Sequence, residues 1–287
     1  MTSVDPDGTG LLAPGWTGSP AASATSDTAY LQALLDAEAA LTHAQAAQEL
    51  APAAAASAVT EAADAARFDV RSLAERARGG GNPVIPLVAD LTKAVGEEFG
   101  PYVHRGATSQ AIMDTATMLV PVRTLALLLT GLARTERALA PLAAEHRDTV
   151  MPGRTLTQHA VPTTFGLKAA GWRSLVLDAR DRTVRVRDGL PAQLGGAAGT
   201  LAAFTVYGAE DTEALTAAFA HRLGLAVPTL PWHTLRTPIA DLPGCLAFTA
   251  GALGQLAADL PVHGRPESAV VAGGLGGGSL VVSPQGQ

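Results

Sequence analysis

Cysteine is nearly absent from this sequence, and aromatic residues are scarce. Cys245 is the only cysteine among 287 residues, which excludes an intramolecular disulfide and a cysteine-based metal cluster. Aromatic residues make up 4% of the chain and hydrophobic residues 47%, so its core must consist mainly of small and aliphatic side chains. Because Ala and Leu are strong helix formers, this composition favours close-packed helices.

Charged residues are also sparse. The chain has 20 Lys and Arg against 26 Asp and Glu, a net charge of −6 with no basic cluster. Nucleic-acid binding needs concentrated cations that neutralise phosphates, so we predict no nucleic-acid partner. A small anionic substrate is compatible with this balance, because a few local cations can outweigh a weak overall field.

Long apolar runs and targeting signals are missing as well. The densest apolar run, Leu125 to Ala133, is too short to span a bilayer. The segment from Met1 to Thr25 has no basic stretch followed by an apolar run, and so does not resemble a signal peptide. We therefore predict a soluble, cytoplasmic protein with no membrane partner.

Helical periodicity dominates the rest of the chain, and no alternating strand pattern persists. We predict an all-α fold, a long-helix bundle with a smaller N-terminal helical region. The longest predicted helix contains TLALLLTGLA, which is apolar on every side and typical of a helix inside a bundle or an oligomer core. The predicted domains are a flexible arm over 1–26, an N-terminal helical domain over 27–106, a central helical bundle over 107–260 and a Gly-rich tail over 261–287. The predicted helices cover 27–50, 53–66, 70–78, 82–94, 109–146, 163–187, 212–223 and 239–260.

Five segments, taken in order, resemble the blocks of one known family. They are GNPVIPLV (81–88), VHRGATSQAIMDTA (103–116), GRTLTQHAVPTTFGLKAAGW (153–172), GGAAGTLA (195–202) and PWHTLR (231–236). Together they resemble the 3-carboxy-cis,cis-muconate cycloisomerases of the fumarase/aspartase superfamily and, more distantly, the adenylosuccinate lyases. The resemblance runs from about residue 27 to about residue 260, and its specificity comes from the order of the five blocks.

This resemblance implies an assembly and a chemistry. Members pair long helices into a five-helix bundle, and four subunits merge their bundles with active sites between subunits, so we expect a homo-oligomer, by resemblance a tetramer. The superfamily removes a proton next to a carboxylate and expels a group from the neighbouring carbon; the cycloisomerases instead add a carboxylate to a double bond and close a lactone. We expect a carboxylate substrate, no organic cofactor and, since metal-ligand spacings are absent from the sequence, no metal.

The first candidate site residues lie around the start of the longest predicted helix. Thr108, Ser109 and Gln110 match the block that holds a substrate carboxylate in the family, and helix N-termini bind anions through free N–H groups. The alternative for this block is an ordinary N-cap. His104, just before it, is a candidate catalytic residue that either hydrogen-bonds the substrate or ties its own loop.

The second set of candidates follows a Pro-Gly break in the helical pattern. Arg154, Thr155 and Gln158 match the family's next block and are predicted to bind substrate, as is the ammonium of Lys168; the alternative for Lys168 is a lysine on a helix surface. Leu156 departs from the lyase members, which usually carry a histidine there. Because leucine cannot transfer a proton, a mechanism using that histidine is excluded, and the cycloisomerase-like branch is favoured.

Three further candidates come from the outer blocks. Asn82 either lines the pocket or caps the helix that follows it. His233 and Arg236 belong to a loop predicted to close over the site. Arg236 can bind a carboxylate through two hydrogen bonds, and His233 is a candidate acid or base because histidine titrates near neutrality.

The last block of the family is represented only by its beginning. The family's signature loop resembles GSSxMPxKxN, and its serine is taken as the general base. The tail of this chain reads GGLGGGSLVVSPQGQ, in which Gly277, Gly278 and Ser279 match the start of that loop and Leu280 replaces its second serine. We therefore expect a C-terminally shortened member of the fold, with Ser279 as a candidate catalytic residue.

Two functions from different classes fit these features. The first is a cycloisomerase or lyase-like enzyme that acts on an unsaturated polycarboxylate, including one from secondary metabolism. The second is a catalytically impaired, repurposed member of the fold that binds a ligand or serves as a scaffold. They are distinguished by whether an acid or base lies near Ser109, Gln158 and His233.

Overall fold

The computed structural model describes residues 11–265, and it confirms the predicted all-α class. Within this range two short 3-10 turns and one two-stranded sheet accompany the α-helices. The helices are α1 Pro20–Ala24, α2 Asp27–Ala47, α3 Ala53–Ala62, α4 Val70–Gly80, α5 Val84–Val95, α6 Ser109–Glu145, α7 Phe165–Asp188, α8 Ala202–Val206, α9 Thr212–Leu223 and α10 Thr237–His263.

Capping side chains and glycines set several helix ends. The Ser26 hydroxyl accepts a hydrogen bond from the Ala29 N–H at the start of α2, and Asp211 accepts one from the Ala214 N–H at the start of α9. Each satisfies a backbone donor that has no partner inside its helix. Gly224 ends α9 with φ 66°, a left-handed conformation that glycine adopts without a steric penalty.

The described chain divides into two compact units. Unit 1 contains residues 11–127 and 186–240, and unit 2 contains residues 128–185 and 241–265. The boundaries between the units fall inside α6, α7 and α10, so each of these long helices contributes residues to both units. The predicted boundary at residue 106 therefore does not separate the units, and the domain assignment stays a prediction.

The core of unit 1 is built around α2, which packs against α3 and α9. The apolar side chains that α2 buries are small or aliphatic, as the scarcity of aromatic residues suggested. Burying one leucine completely stabilises the fold by about 1.5–3 kcal/mol. The buried apolar residues of α2 are Leu31, Ala33, Leu34, Leu35, Ala37, Ala39, Ala40, Leu41 and Ala44.

The core of unit 2 includes two aromatic rings in contact. Phe165 and Trp172 of α7 are buried and meet edge to face, with ring centroids 6.0 Å apart, a preferred aromatic geometry. Leu132 and Leu139 from the second half of α6 and Leu256 of α10 also belong to this cluster. The cluster fixes the position of α7 within unit 2.

The prediction that the chain forms no strands is wrong. Strands β1 Val150–Thr155 and β2 Gln158–Thr164 pair antiparallel. Leu156 and Thr157 form the two-residue connection, with φ 47° and 65°. Such turns need positive φ at both positions and normally carry Asn-Gly, so a Leu-Thr turn is strained and lacks the usual sequence signal.

Prolines explain why these strands do not show in the sequence. Pro152 faces Pro162 in the register, and the pairing is irregular between Pro152 and Arg154. Proline lacks the donor N–H of a strand residue, so its presence argues against a strand. Gly153 at the irregularity allows close approach, because a Cβ there would lie 2.7 Å from the Val161 carbonyl oxygen.

Smaller differences concern helix bounds and hydropathy. Part of the predicted arm forms α1, capped by Ser19, and α3 ends at Ala62, four residues earlier than predicted. By length and hydropathy alone, α6 and α10 are sufficiently long and apolar to cross a membrane, which no continuous run had indicated. Core helices of soluble proteins meet the same criterion.

Candidate functional site

His104 is held by a buried carboxylate on α2. Its Nδ1 lies 2.7 Å from Oε1 of Glu38, whose side chain is 0% exposed. Burial alone would lower the pKa of His104, but the hydrogen bond and the negative charge of Glu38 outweigh it, and the pKa lies above its ordinary value. No local pattern predicts this pairing, since 66 residues separate the two.

The predicted anion block lies at the start of α6. Thr108 and Ser109 are partly buried there, and the Thr108 carbonyl accepts from the Ala111 N–H. Gln110 turns its amide to its own chain, because Nε2 donates to the His233 carbonyl oxygen at 3.0 Å and lies 3.4 Å from Oδ2 of Asp114. The helix start therefore faces the PWHTLR loop inside unit 1.

Arg236 was predicted to bind a substrate carboxylate through two hydrogen bonds. In the structure it makes such a contact with a carboxylate of the protein itself. Its Nη1 and Nη2 donate to the two oxygens of Asp114 at 2.7 and 2.9 Å, and Nη1 also donates to the His233 carbonyl oxygen. Asp114 was not among the predicted residues. Its only sequence signal is its position in α6, one turn after Gln110, among residues that the fold buries.

His233 differs from His104 in its environment. Its Nε2 is buried and has no hydrogen-bond partner among the described residues. Burial lowers the pKa of His233, the charge of Asp114 raises it and that of Arg236 lowers it, and the net effect is a pKa below the ordinary value. Gly195 makes room for the ring, because a Cβ there would lie 2.8 Å from Cε1 of His233.

A buried network supports this loop. The side-chain oxygen of Gln193 accepts from the Trp232 N–H at 2.9 Å, and the indole N–H of Trp232 donates to the Ala192 carbonyl at 2.8 Å. Thr115 of α6 exchanges two hydrogen bonds with the Gln193 backbone. These contacts fix the loop that carries His233 against α6.

The second candidate set lies in unit 2, on the unpredicted hairpin. Arg154 is partly buried in β1, while Thr155 and Gln158 flank the turn, pair with each other and are exposed. Leu156 at the tip is 91% exposed. The hairpin thus presents this block to solvent, and Nη1 of Arg154 is buried without a partner among the described residues.

Lys168 of α7 is also paired within its unit. Its ammonium lies 2.6 Å from Oδ2 of Asp259 on α10, and the same oxygen accepts from the indole N–H of Trp172 at 2.8 Å. Burial would raise the pKa of Asp259, but these two hydrogen bonds, together with the charges of Lys168 and His263, lower it. A cavity of about 400 Å³ beside this pair is lined by Thr163, Leu167, Lys168, Gly171, Trp172, Leu175 and Gln255.

The remaining predicted residues lie apart from these clusters or beyond the described range. Asn82 accepts hydrogen bonds from the Val84 and Ile85 N–H groups at the start of α5, which is the capping geometry. Ser279 lies outside the described residues. Unit 1 therefore brings together Gln110, His233 and Arg236, whereas Arg154, Thr155, Gln158 and Lys168 belong to unit 2.

Comparison with known proteins gives a consistent relationship. A family model described as "Lyase" matches residues 17–272. The nitrosuccinate lyase of Streptomyces davaonensis is 50% identical over 265 residues, which cover 90% of this chain and 56% of that protein. The 3-carboxy-cis,cis-muconate cycloisomerase of Bradyrhizobium diazoefficiens is 45% identical over 254 residues, covering 87% of this chain and 55% of that protein.

Solved structures give the same result. The 3-carboxy-cis,cis-muconate lactonizing enzyme from Pseudomonas putida matches with a TM-score of 0.79 and 38% identity, over 85% of this chain and 56% of that chain. The chain thus spans about half the length of the relatives that it matches.

Proposed function

We propose, from the premise that this chain belongs to the lyase family of the fumarase/aspartase superfamily, that it serves an enzyme acting on a substituted dicarboxylate. The reaction breaks or forms a bond between carbon and a group that is stable as an anion. Because the chain spans about half of its relatives, this activity is proposed for the protein to which the described residues belong.

Leu156 is the observation that carries this proposal. It occupies the hairpin tip at the position where lyase members of the resembling family carry a histidine, and its side chain is 91% exposed. An amine that is expelled from carbon needs a proton from a general acid. Nitrite and carboxylate are weak bases and leave without one, so leucine at this position is compatible with anionic leaving groups.

The favoured reaction is elimination of nitrite from nitrosuccinate, the substrate named for the relative at 50% identity. A base removes a proton from the methylene carbon, the neighbouring C–N bond breaks, nitrite leaves with the electron pair, and fumarate remains. The proposed catalytic residues are Ser279, His104 and His233, and of these Ser279 and His233 are the candidate bases. Charge develops on the carboxylate next to the deprotonated carbon, so fixed donors there lower the barrier.

Binding of two carboxylates is assigned to the donors of the predicted blocks. A guanidinium has five N–H donors; the contacts of Arg236 with Asp114 and His233 use three, which leaves two for a substrate. The other proposed substrate-binding residues are Asn82, Thr108, Ser109, Gln110, Arg154, Thr155, Gln158 and Lys168. We further propose a cytoplasmic homo-oligomer that works without a metal or organic cofactor.

Lactonisation of 3-carboxy-cis,cis-muconate is the second candidate. The 45% identity to a cycloisomerase and the TM-score of 0.79 with a lactonizing enzyme favour it. In that reaction a substrate carboxylate adds to a double bond, and the reverse reaction expels the same carboxylate. Leu156 is therefore equally compatible with this chemistry, and substrate tests must separate the two.

The purified protein should be incubated with each substrate in turn. We expect nitrite, detected by diazo coupling, and fumarate, detected by ultraviolet absorbance, in equal amounts from nitrosuccinate. Ser109→Ala removes a donor from the anion block and should lower the rate by about 100-fold, whereas Ser57→Ala, an exposed serine of α3, should leave it unchanged. Loss of the 3-carboxymuconate chromophore without nitrite release would favour lactonisation, and turnover of neither substrate would contradict the proposal.

A further inference from the structure

Glu38 is an acidic residue inside the apolar core of unit 1. It lies on α2 among buried alanines and leucines, and its side chain is 0% exposed. Oε1 faces Nδ1 of His104, while Oε2 is buried without a hydrogen-bond partner among the described residues. A buried carboxylate is costly unless an opposite charge or hydrogen bonds compensate it, so this residue needs an explanation.

The loop presents His104 to this carboxylate in a conformation that few residues adopt. His104 has φ 57°, a left-handed conformation that is uncommon for residues other than glycine. The turn is closed by a hydrogen bond from the Ala107 N–H to the His104 carbonyl at 3.2 Å. The 2.7 Å contact with Glu38 is therefore kept against local strain.

The neighbouring charged and polar groups are engaged elsewhere. The guanidinium of Arg105 lies 4.1 Å from the ring centroid of Tyr207 and donates to the Leu50 carbonyl at 3.0 Å. Gln45, two turns after Glu38 on α2, donates to the Arg105 carbonyl at 2.6 Å. Among the described residues Glu38 is the charged group that acts on the His104 ring.

We propose that Glu38 is a positioning residue that holds His104 as an imidazolium, with Nδ1–H bound to Glu38 and Nε2–H available to a substrate oxygen. This inference rests on the proposed function, because it gives His104 a role at the dicarboxylate site. His104 then acts as a fixed cationic donor for the carboxylate that gains charge during elimination. It does not act as the base, since its nitrogens already carry protons.

The carboxylate–imidazolium form follows from the burial of Glu38. With a neutral His104, ionised Glu38 would be a buried charge with no cation, which is the most costly arrangement. A proton on the ring removes that cost and converts the contact into a charge-assisted hydrogen bond. The competing arrangement, a neutral ring facing a protonated Glu38, carries the same number of protons and must be separated by experiment.

The direct test is a nuclear magnetic resonance titration of the histidine rings in the full chain, with the His104 signals assigned by their loss in His104→Asn. We expect ring nitrogen shifts of an imidazolium at pH 7 and a pKa above the ordinary value of about 6.5. In Glu38→Gln, which keeps the shape of the side chain, the proton affinity of His104 should fall by about tenfold or more. His43, which contacts Thr60 at 2.9 Å, provides the internal control and should titrate unchanged.

Two results would overturn the proposal. One is a neutral His104 ring at pH 7 in the wild-type chain, because the ring would then not be an imidazolium. The other is a His104 pKa that does not respond to Glu38→Gln. Because the titration needs no turnover, it is independent of whether nitrosuccinate is the substrate.

A kinetic readout separates positioning from simple structural support. If the imidazolium is needed, the alkaline limb of the pH profile of kcat/KM should move to lower pH in Glu38→Gln. Glu38→Asp retains the carboxyl group on a shorter side chain, so its alkaline limb should lie between those of Glu38→Gln and the wild type. A uniform loss of rate at every pH, with the limb unmoved, would indicate a structural role only and contradict the proposal.

Discussion

Each of the two units holds one predicted substrate-binding cation against an aspartate, but the two pairs differ in geometry. In unit 1, Asp114 is almost completely buried, with 9% of its side chain exposed, and binds Arg236 through both oxygens. In unit 2, Asp259 is 26% exposed and binds Lys168 through one oxygen. The first pair has a fixed orientation, whereas the second has more freedom and more access to solvent.

A tryptophan beside each pair strengthens the contrast. The indole N–H of Trp172 donates to Asp259, so that aspartate serves two donors. The indole N–H of Trp232 donates instead to a backbone carbonyl, and its ring lies 5.3 Å from the Arg236 guanidinium. Asp114 therefore mainly aims a cation, while Asp259 mainly satisfies a buried donor. An aspartate, a tryptophan and a cation thus serve a different purpose in each unit.

The largest expected effect comes from breaking the buried pair. Asp114→Ala leaves Arg236 without its two charge-assisted hydrogen bonds, and we expect the free energy of unfolding to fall by about 2 kcal/mol. This value is below the cost of breaking a fully buried pair, because the Arg236 side chain is 42% exposed. Equilibrium unfolding in urea measures it. Asp181→Ala, which breaks an exposed pair with Arg180, is the control and should change stability by less than about 0.5 kcal/mol. Equal losses in Asp114→Ala and Asp181→Ala would show that the pair of Asp114 with Arg236 stabilises the fold no more than an exposed pair does.

A smaller effect is expected at the second pair. Asp259→Ala should cost about 1–2 kcal/mol, because the buried indole N–H of Trp172 loses its acceptor. Asp259→Asn should recover most of this loss, since the amide oxygen can still accept from Trp172. Lys168→Met should cost less than about 1 kcal/mol, as is usual for a partly exposed ion pair. Thermal and urea unfolding of the three variants test this order, and a Lys168→Met loss larger than that of Asp259→Ala would reverse our interpretation.

The smallest effect is the pH dependence that Asp259 contributes. Burial raises the pKa of Asp259 in the folded state, but the contacts with Lys168 and Trp172 outweigh this effect. The pKa of Asp259 therefore lies below its ordinary value. The folded state therefore binds this proton less readily than the unfolded state, so the stabilisation is present above the ordinary aspartate pKa of about 3.9 and is lost as the pH falls through the folded value. Between about pH 5 and 2, the free energy of unfolding should change less with pH in Asp259→Asn than in the wild type. Parallel curves would show that Asp259 contributes nothing to the acid limb.

Local signals made much of the helical fold predictable. α9 begins at Thr212 and ends before Gly224 as predicted, because an aspartate cap and a glycine mark its ends. The longest helix was predicted to within a residue from its periodicity. The hairpin was missed because its strands contain prolines and its turn, Leu156-Thr157, lacks the usual residues.

Side-chain partners could not be predicted in the same way. The blocks indicated His104, Lys168 and Arg236 as functional, yet none of the three carboxylates that bind them was anticipated. Each such contact joins residues at least 66 positions apart, and it depends on how helices pack and not on any local pattern. Charge state depends on these partners, so the sequence alone could not distinguish His104 from His233.

A comparison of two leaving groups on one carbon skeleton shows whether the expelled group must leave as a stable anion. The full chain should be given nitrosuccinate and aspartate under the same conditions, with nitrite and ammonia measured as products. Since a general acid typically contributes 10²–10⁴-fold, we predict nitrite release at least about 1,000-fold faster than ammonia release. Comparable release of ammonia would contradict the account, because it would require a proton donor that Leu156 cannot be.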